Sequence, residues 1–263
     1  MRQFWCKNPQ VRQAPGGAWS RTDVPQQGLL SGYIQKAEAF IFDFDGTLYD
    51  GRRFARRLLF SRSPNRLSLG DIPLIGAERA VRKSLAGFDY GNAEAYYREF
   101  FALLERRTSR PASFLRQWYF RRYMPRMKRV LQQFYPARRG ASELFKNLAC
   151  PRAVYSDYPE VRERLEAIGL DPGLCGMLCG PDTFGAQKPA PRPFLAIAAA
   201  LRSDPSRVLV VGDRDDTDGE GASSSGMMFL RIAGHKNPAD SGRPSLEWDQ
   251  FVLSLLRRGG GYG

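Results

Sequence analysis

The sequence predicts an α/β protein, a doubly wound parallel sheet interrupted after its first strand by an inserted helical domain. Short apolar runs at 39–43, 152–156, 207–211 and 227–232 are separated by segments of helical periodicity, the alternation that crossover connections produce. Two of these runs, 39–42 (AFIF) and 208–211 (VLVV), lack a polar face and read as central strands buried on both sides. Between residues 51 and 137 the strand pattern stops and only helical spacing remains.

The elements follow in order. Residues 1–36 are polar, rich in Gln, Gly and Pro, with five Lys/Arg against one acid, and are expected to form a disordered leader. They contain no apolar core of the kind a secretory signal needs. The first strand, 39–43, opens a core assigned to 37–50 and 138–258. The inserted cap, 51–137, begins with Phe54, Leu58 and Leu59 at helical spacing among arginines. Helices are predicted over 71–86, 92–107 and 112–134, the last broken near Pro125, which removes a backbone donor and clashes with the preceding turn. A helix at 140–149 then precedes the strand at 152–156, and a helix at 159–168 leads to the short apolar piece CGMLC at 175–179. A helix at 191–202, the strand at 207–211, a Gly/Ser-rich helix at 217–226 and the strand at 227–232 complete the alternation. The Gly-rich tail, 259–263, is expected to be disordered.

Composition narrows the function. No stretch approaches the roughly 20 apolar residues that span a bilayer. Four cysteines in no zinc-like spacing suit a reducing, cytoplasmic setting, with Cys175 and Cys179 as core residues. His235, the one histidine, is read as a surface loop residue, and a single histidine excludes any metal site needing two. The formal charge is +13, and its excess is confined to the cap: residues 51–137 hold 19 Lys/Arg against 6 Asp/Glu, and the rest of the chain holds 21 of each sign. Arg52, Arg53 and Arg56, just after the first strand, are candidates for steering an anionic substrate. The other arginines read first as a solvated helix face. Basic residues interleaved with Trp118, Tyr119, Phe120 and Tyr123 could instead suit a nucleic-acid strand, but a helix with one buried side accounts for them more economically.

Ligands bind beyond the carboxyl ends of strands in open parallel sheets. Four polar motifs fall at that edge: Asp43 and Asp45 in FDFDGT, Ser156 and Asp157 after the second strand, Lys188 in GAQKPAP, and Asp213 in GDRDDTDG. Singly, each could be a turn or cap residue. Together they form a coherent set. Aspartates from the first and last motifs supply hard oxygen ligands suited to Mg²⁺. A carboxylate beside that ion can act as nucleophile toward a phosphoryl group, with Lys188 compensating charge. A second carboxylate can protonate the leaving oxygen and later deprotonate water. Thr47 is read as support for the turn, and Gly46 as a tight backbone passage.

In order and spacing, DFDGT, the strand ending at Ser156, KPAPRPF and GDRDDTDG resemble the four motifs of the haloacid dehalogenase (HAD) superfamily. The inserted helices resemble the cap of its phosphoglycolate phosphatase-like and β-phosphoglucomutase-like branch. The resemblance covers roughly 37–235 and implies a Rossmann-like core and a Mg²⁺-dependent phosphatase of a small phosphorylated metabolite. It implies Asp43 as nucleophile, Asp45 as general acid/base, and Ser156, Asp157 and Lys188 as phosphate-binding. It further implies a metal site of Asp43, Asp45 (through its backbone carbonyl) and Asp213, with Asp218 supporting it and Asp216 as a poorer substitute. True dehalogenases lack an aspartate at the position of Asp45, so its presence implies phosphate chemistry. A phosphomutase would share all four motifs, and a silent binding protein would keep the fold alone.

Overall fold

The computed structural model describes residues 32–61, 67–233 and 243–259. His235, residues 1–31 and 260–263 lie outside them, so the readings of that histidine and of most of the leader and tail do too. Residues 32–36, expected within the leader, are helical, and Ile34 is buried in the main core.

Six parallel strands form one sheet in the order β3-β2-β1-β4-β5-β6. They are β1 (Ala39–Asp43), β2 (Arg152–Tyr155), β3 (Met177–Cys179), β4 (Val208–Gly212), β5 (Met228–Ile232) and β6 (Ser245–Leu246). The apolar piece CGMLC therefore supplies an edge strand. In the central strands, alternate side chains feed opposite faces, as the period of two dictates. Phe40, Phe42, Val154, Leu209 and Val211 enter one buried cluster, and Ala39, Ile41, Ala153, Val208 and Val210 enter the other.

Between β1 and β2 lies the inserted helical cap: α1 (Phe54–Phe60), α2 (Ile72–Ser84), α3 (Ala93–Thr108), α4 (Ala112–Trp118) and α5 (Met124–Phe134). Asn92 caps α3, its side-chain oxygen accepting from the Ala95 N–H at 2.9 Å. That helix buries Tyr96, Tyr97, Phe100, Phe101 and Leu104 along one stripe. The break expected at Pro125 is a π-helical turn over Tyr119–Tyr123, immediately before the helix whose first turn holds the proline. Widening the helix there accommodates the missing N–H and the ring's clash with the turn before it.

The remaining helices are α6 (Ala141–Asn147), α7 (Val161–Ala167), α8 (Pro181–Phe184), α9 (Pro191–Ala200), α10 (Glu220–Ser224) and α11 (Trp248–Gly259). A second π-helical turn, Asp215–Gly219, precedes α10, so the predicted 217–226 helix is shorter than its pattern. The sequence reading did not propose β6 or α11, although Trp248, Phe251, Val252 and Leu255 carry a helical apolar stripe into the core.

The cap is joined to the core by more than its two chain crossings. Residues 87–90 run beside the Lys188 loop: the N–H groups of Gly87, Tyr90 and Gln187 donate to the carbonyls of Lys188, Gly185 and Phe88. Asp89 and Ala186 form an antiparallel bridge there. Gly185 has φ 65°, and a Cβ on it would collide with the Asn92 carbonyl, so the approach requires glycine.

Candidate active site

Parallel register brings the motifs to one edge. Asp43 pairs with Tyr155, so Ser156 lies just beyond the second strand, while Phe42 pairs with Val211, which sets Gly212 and Asp213 beside the first motif. The turn after β1 places Gly46 at φ 93°, and a Cβ there would strike the Asp213 carboxylate. Arg138, where the chain leaves the cap, holds this turn by donating to the carbonyls of Thr47 and Gly46 at 2.9 Å each.

Asp43 is buried and held on both oxygens. The Lys188 ammonium donates to Oδ1 at 2.6 Å and the Thr47 hydroxyl to Oδ2 at 2.9 Å. Thr47 thus bonds the carboxylate itself, where the sequence reading gave it a turn-supporting role. Lys188, also buried, bridges to Asp218 Oδ1 at 2.7 Å. Carboxylate oxygens of Asp43, Asp213 and Asp218 lie within 4.8 Å of one another. Burial raises Asp43 to about 7 against the pull of Lys188, with Asp218 and Asp45 adding to the rise. Burial and Asp43 raise Asp213 to about 7, and burial raises Asp218 to about 6. Burial alone would lower Lys188, but Asp218 and Asp43 hold it well above an ordinary lysine.

This donor set fits a hard divalent cation. Three carboxylates face one ammonium, and the buried Oδ1 of Asp213 has no hydrogen-bond partner. Asp218 belongs to this cluster directly, more closely than the supporting role expected for it. The Asp45 carboxylate is not in the cluster: it is tied up by Arg164, Ser156 and Tyr49. Burial would raise Asp45, but the Arg164 guanidinium, helped by the Tyr49 and Ser156 hydroxyls, holds it below the usual carboxylate range. Asp216 pairs with Arg214 at the surface and does not join the cluster.

Asp157 turns its side chain to the Lys188 backbone N–H at 3.1 Å, while its carbonyl accepts from Arg82 Nη1 at 2.5 Å and Gln187 Nε2 at 3.2 Å. Asp45 opens onto a cleft of about 400 Å³ between core and cap, with Tyr49, Phe54, Tyr123, Met127 and Tyr158 among its walls and Arg52, Arg79 and Arg138 as its cations. Arg52 is exposed there and paired with Asp50. Arg53 lines a neighbouring groove, and exposed Arg56 lines neither, so two of the three steering candidates do not reach the site. Of the aromatics interleaved with the basic run, Trp118, Tyr119 and Tyr123 are buried, with Trp118 and Tyr119 each stacked on Tyr123, so these three offer no base-stacking surface.

Sequence reasoning missed Arg164, Arg79, Tyr49 and Arg138. Arg164 had a signal: it stands at i+3 of the Val161–Leu165–Ile168 stripe, an arginine on the buried face of its helix. Arg126, read within a solvated basic run, is likewise buried, donating to the carbonyls of Leu58 at 3.0 Å and Ser61 at 2.7 Å.

A parallel sheet whose carboxyl edge gathers buried aspartates and a lysine beneath an inserted helical cap defines a capped, Rossmann-like enzyme. The chain belongs to the haloacid dehalogenase-like hydrolases: the model of that family matches residues 37–226. No curated protein sequence matches it closely enough to count as a relative. Among solved structures, a 2-haloacid dehalogenase from Pseudomonas syringae pv. Tomato DC3000 is 19% identical, covering 84% of this chain and 99% of its own, with a TM-score of 0.56. CbbY from Rhodobacter sphaeroides in complex with xylulose-(1,5)bisphosphate is 18% identical, covering 83% and 99%, with a TM-score of 0.55. A predicted phosphoglycolate phosphatase from Haemophilus somnus 129pt is 17% identical, covering 85% and 98%, with a TM-score of 0.53. At these identities the likeness is one of fold. No helix among the described residues is long and apolar enough to cross a membrane.

Proposed function

We propose that the protein is a Mg²⁺-dependent phosphatase of small phosphate monoesters, working through an aspartyl-phosphate at Asp43. The observation that carries this is Asp45: a second carboxylate, two residues after the buried one that Lys188 holds, lines the cleft between core and cap. Asp43, Asp213 and Asp218 would hold Mg²⁺, which when bound supplies positive charge against the anionic phosphoryl group.

The chain's own residues provide the rest. An Asp43 oxygen attacks phosphorus, the bond from phosphorus to the ester oxygen breaks, and Asp45, which must first take up a proton because Arg164 holds it ionised, gives that proton to the ester oxygen. Water then attacks the phosphoryl group and yields its proton to Asp45, releasing phosphate and restoring the Asp43 carboxylate. Lys188 has three N–H donors and spends two on Asp43 and Asp218, leaving one for a phosphoryl oxygen. Arg79 on α2 lines the cleft and has no ion-pair partner among the described residues, so it suits an anionic group elsewhere on the substrate.

A panel of phosphate monoesters with Mg²⁺, scored by phosphate release, tests the reading. Turnover of at least one ester is expected, and Asp43→Asn should lower it by several orders of magnitude. A protein that hydrolyses no ester, or an Asp43→Asn variant as active as the parent, would refute the proposal.

A further inference from the structure

We propose that Arg164 is a positioning residue for Asp45. This rests on the phosphatase reading above and goes beyond it by assigning a buried arginine to the proton-handling carboxylate.

Three side chains close a ring. Arg164 Nη2 donates to Asp45 Oδ1 at 2.5 Å, Arg164 Nη1 donates to Ser156 Oγ at 2.8 Å, and the Ser156 hydroxyl donates to Asp45 Oδ2 at 3.0 Å. Tyr49 adds a second donor to Asp45 Oδ1 at 2.8 Å. Arg164 is completely buried, with its guanidinium carbon 4.2 Å from the centre of the Phe44 ring, so packing fixes the plane of its fork. A cation this deep requires a partner of opposite charge, and Asp45 is the carboxylate it meets.

Hydrogen-bond capacity then decides what each group can do. A serine hydroxyl has one proton and two lone pairs. Ser156 gives its proton to Asp45 and accepts from Arg164 and from the Tyr158 N–H at 3.1 Å. A carboxylate accepts about four bonds, two on each oxygen. Both places on Asp45 Oδ1 are filled, and one on Oδ2 is filled. The remaining place, on Oδ2, is the one through which a proton passes to the leaving oxygen. The arginine's two adjacent N–H groups hold Asp45 and Ser156 together, which one ammonium cannot do with the same geometry.

The test compares an alkyl ester, glycerol 3-phosphate, with p-nitrophenyl phosphate, whose leaving group needs little protonation. In Arg164→Gln and the more conservative Arg164→Lys, kcat/KM for the alkyl ester should fall about 100-fold, and for the nitrophenyl ester about tenfold or less. Equal losses on both esters would overturn the assignment. If the parent hydrolyses neither these esters nor any other on the panel, the phosphatase reading fails, and the ring is judged by thermal unfolding of Arg164→Gln, Asp45→Asn and the double variant. Strongly non-additive losses are expected, and additive ones overturn the pairing.

Discussion

Asp43 is gripped from two sides, by Thr47 on one oxygen and Lys188 on the other. That grip fixes the carboxylate's direction, and the crowd of acids around it sets its response to pH. Asp43 and Asp213 are both raised from 3.8 to about 7. A raised carboxylate binds its proton more tightly in the folded chain than in the unfolded one. Its stabilising contribution is therefore complete below about pH 3.8 and lost as pH rises through about 7 in the metal-free protein. Mg²⁺ competes with those protons. The rise in Tm produced by Mg²⁺ should accordingly be larger at about pH 8 than at about pH 5, with protons released on binding. A shift of equal size at both pH values would count against the cluster as the metal site. At this scale the residues that the fold gathers were legible, because Asp43, Lys188, Asp213 and Asp218 stand in readable motifs. The sequence did not disclose that Thr47 would reach Asp43, since a four-residue separation in a turn has no fixed geometry until the turn is built.

Among the elements, α2 is one that ties cap to core. Glu78 and Arg82, one helical turn apart on its buried stripe, form an ion pair inside the cap. Arg82 also donates to the Asp157 carbonyl and lies 3.8 Å from the centre of the Tyr158 ring, joining the cap to the loop after β2. Arg82→Met should leave Glu78 buried with its charge uncompensated, at a cost of about 3–5 kcal/mol read from urea unfolding. Adding Glu78→Leu should recover much of that loss, and a single variant as stable as the parent would show that the pair is not holding the cap. The strands were legible because β1 and β4 have no polar face, and the cap because its helical stripes are strong. The π-turn at 119–123 was only partly legible: Pro125 announced a disturbance, but relieving it by widening the helix depends on how the flanking turns pack. Arg126 was misread and Arg82 and Arg164 were passed over, since in a chain of net +13 a buried arginine is hard to tell from a solvated one until its partners arrive.

Across the whole molecule, charge is divided as the sequence indicates, with a basic cap above an acidic site. Arg52, Arg79 and Arg138 line the cleft that leads to Asp45 and Asp213. An anionic substrate entering there should feel long-range attraction that salt screens. KM for a phosphate monoester is expected to rise several-fold between about 0.05 and 0.5 M salt with kcat little changed, and a KM indifferent to salt would remove the steering role. The sequence by itself determined the α/β class, the place of the insertion and the family, and it held the motifs whose acids and lysine the fold gathers, because apolar periodicity and motif spacing are local properties. Tertiary structure alone decided that Arg164 and Ser156 close on Asp45, that Asp218 sits with Asp43 and Asp213, and that of Arg52, Arg53 and Arg56 only Arg52 reaches the cleft. The physical reason is that a carboxylate's partner in a buried site is chosen by which donors the packing brings within about 3 Å of it, and residues 45, 156 and 164 acquire that separation only when strand register and helix docking are both complete.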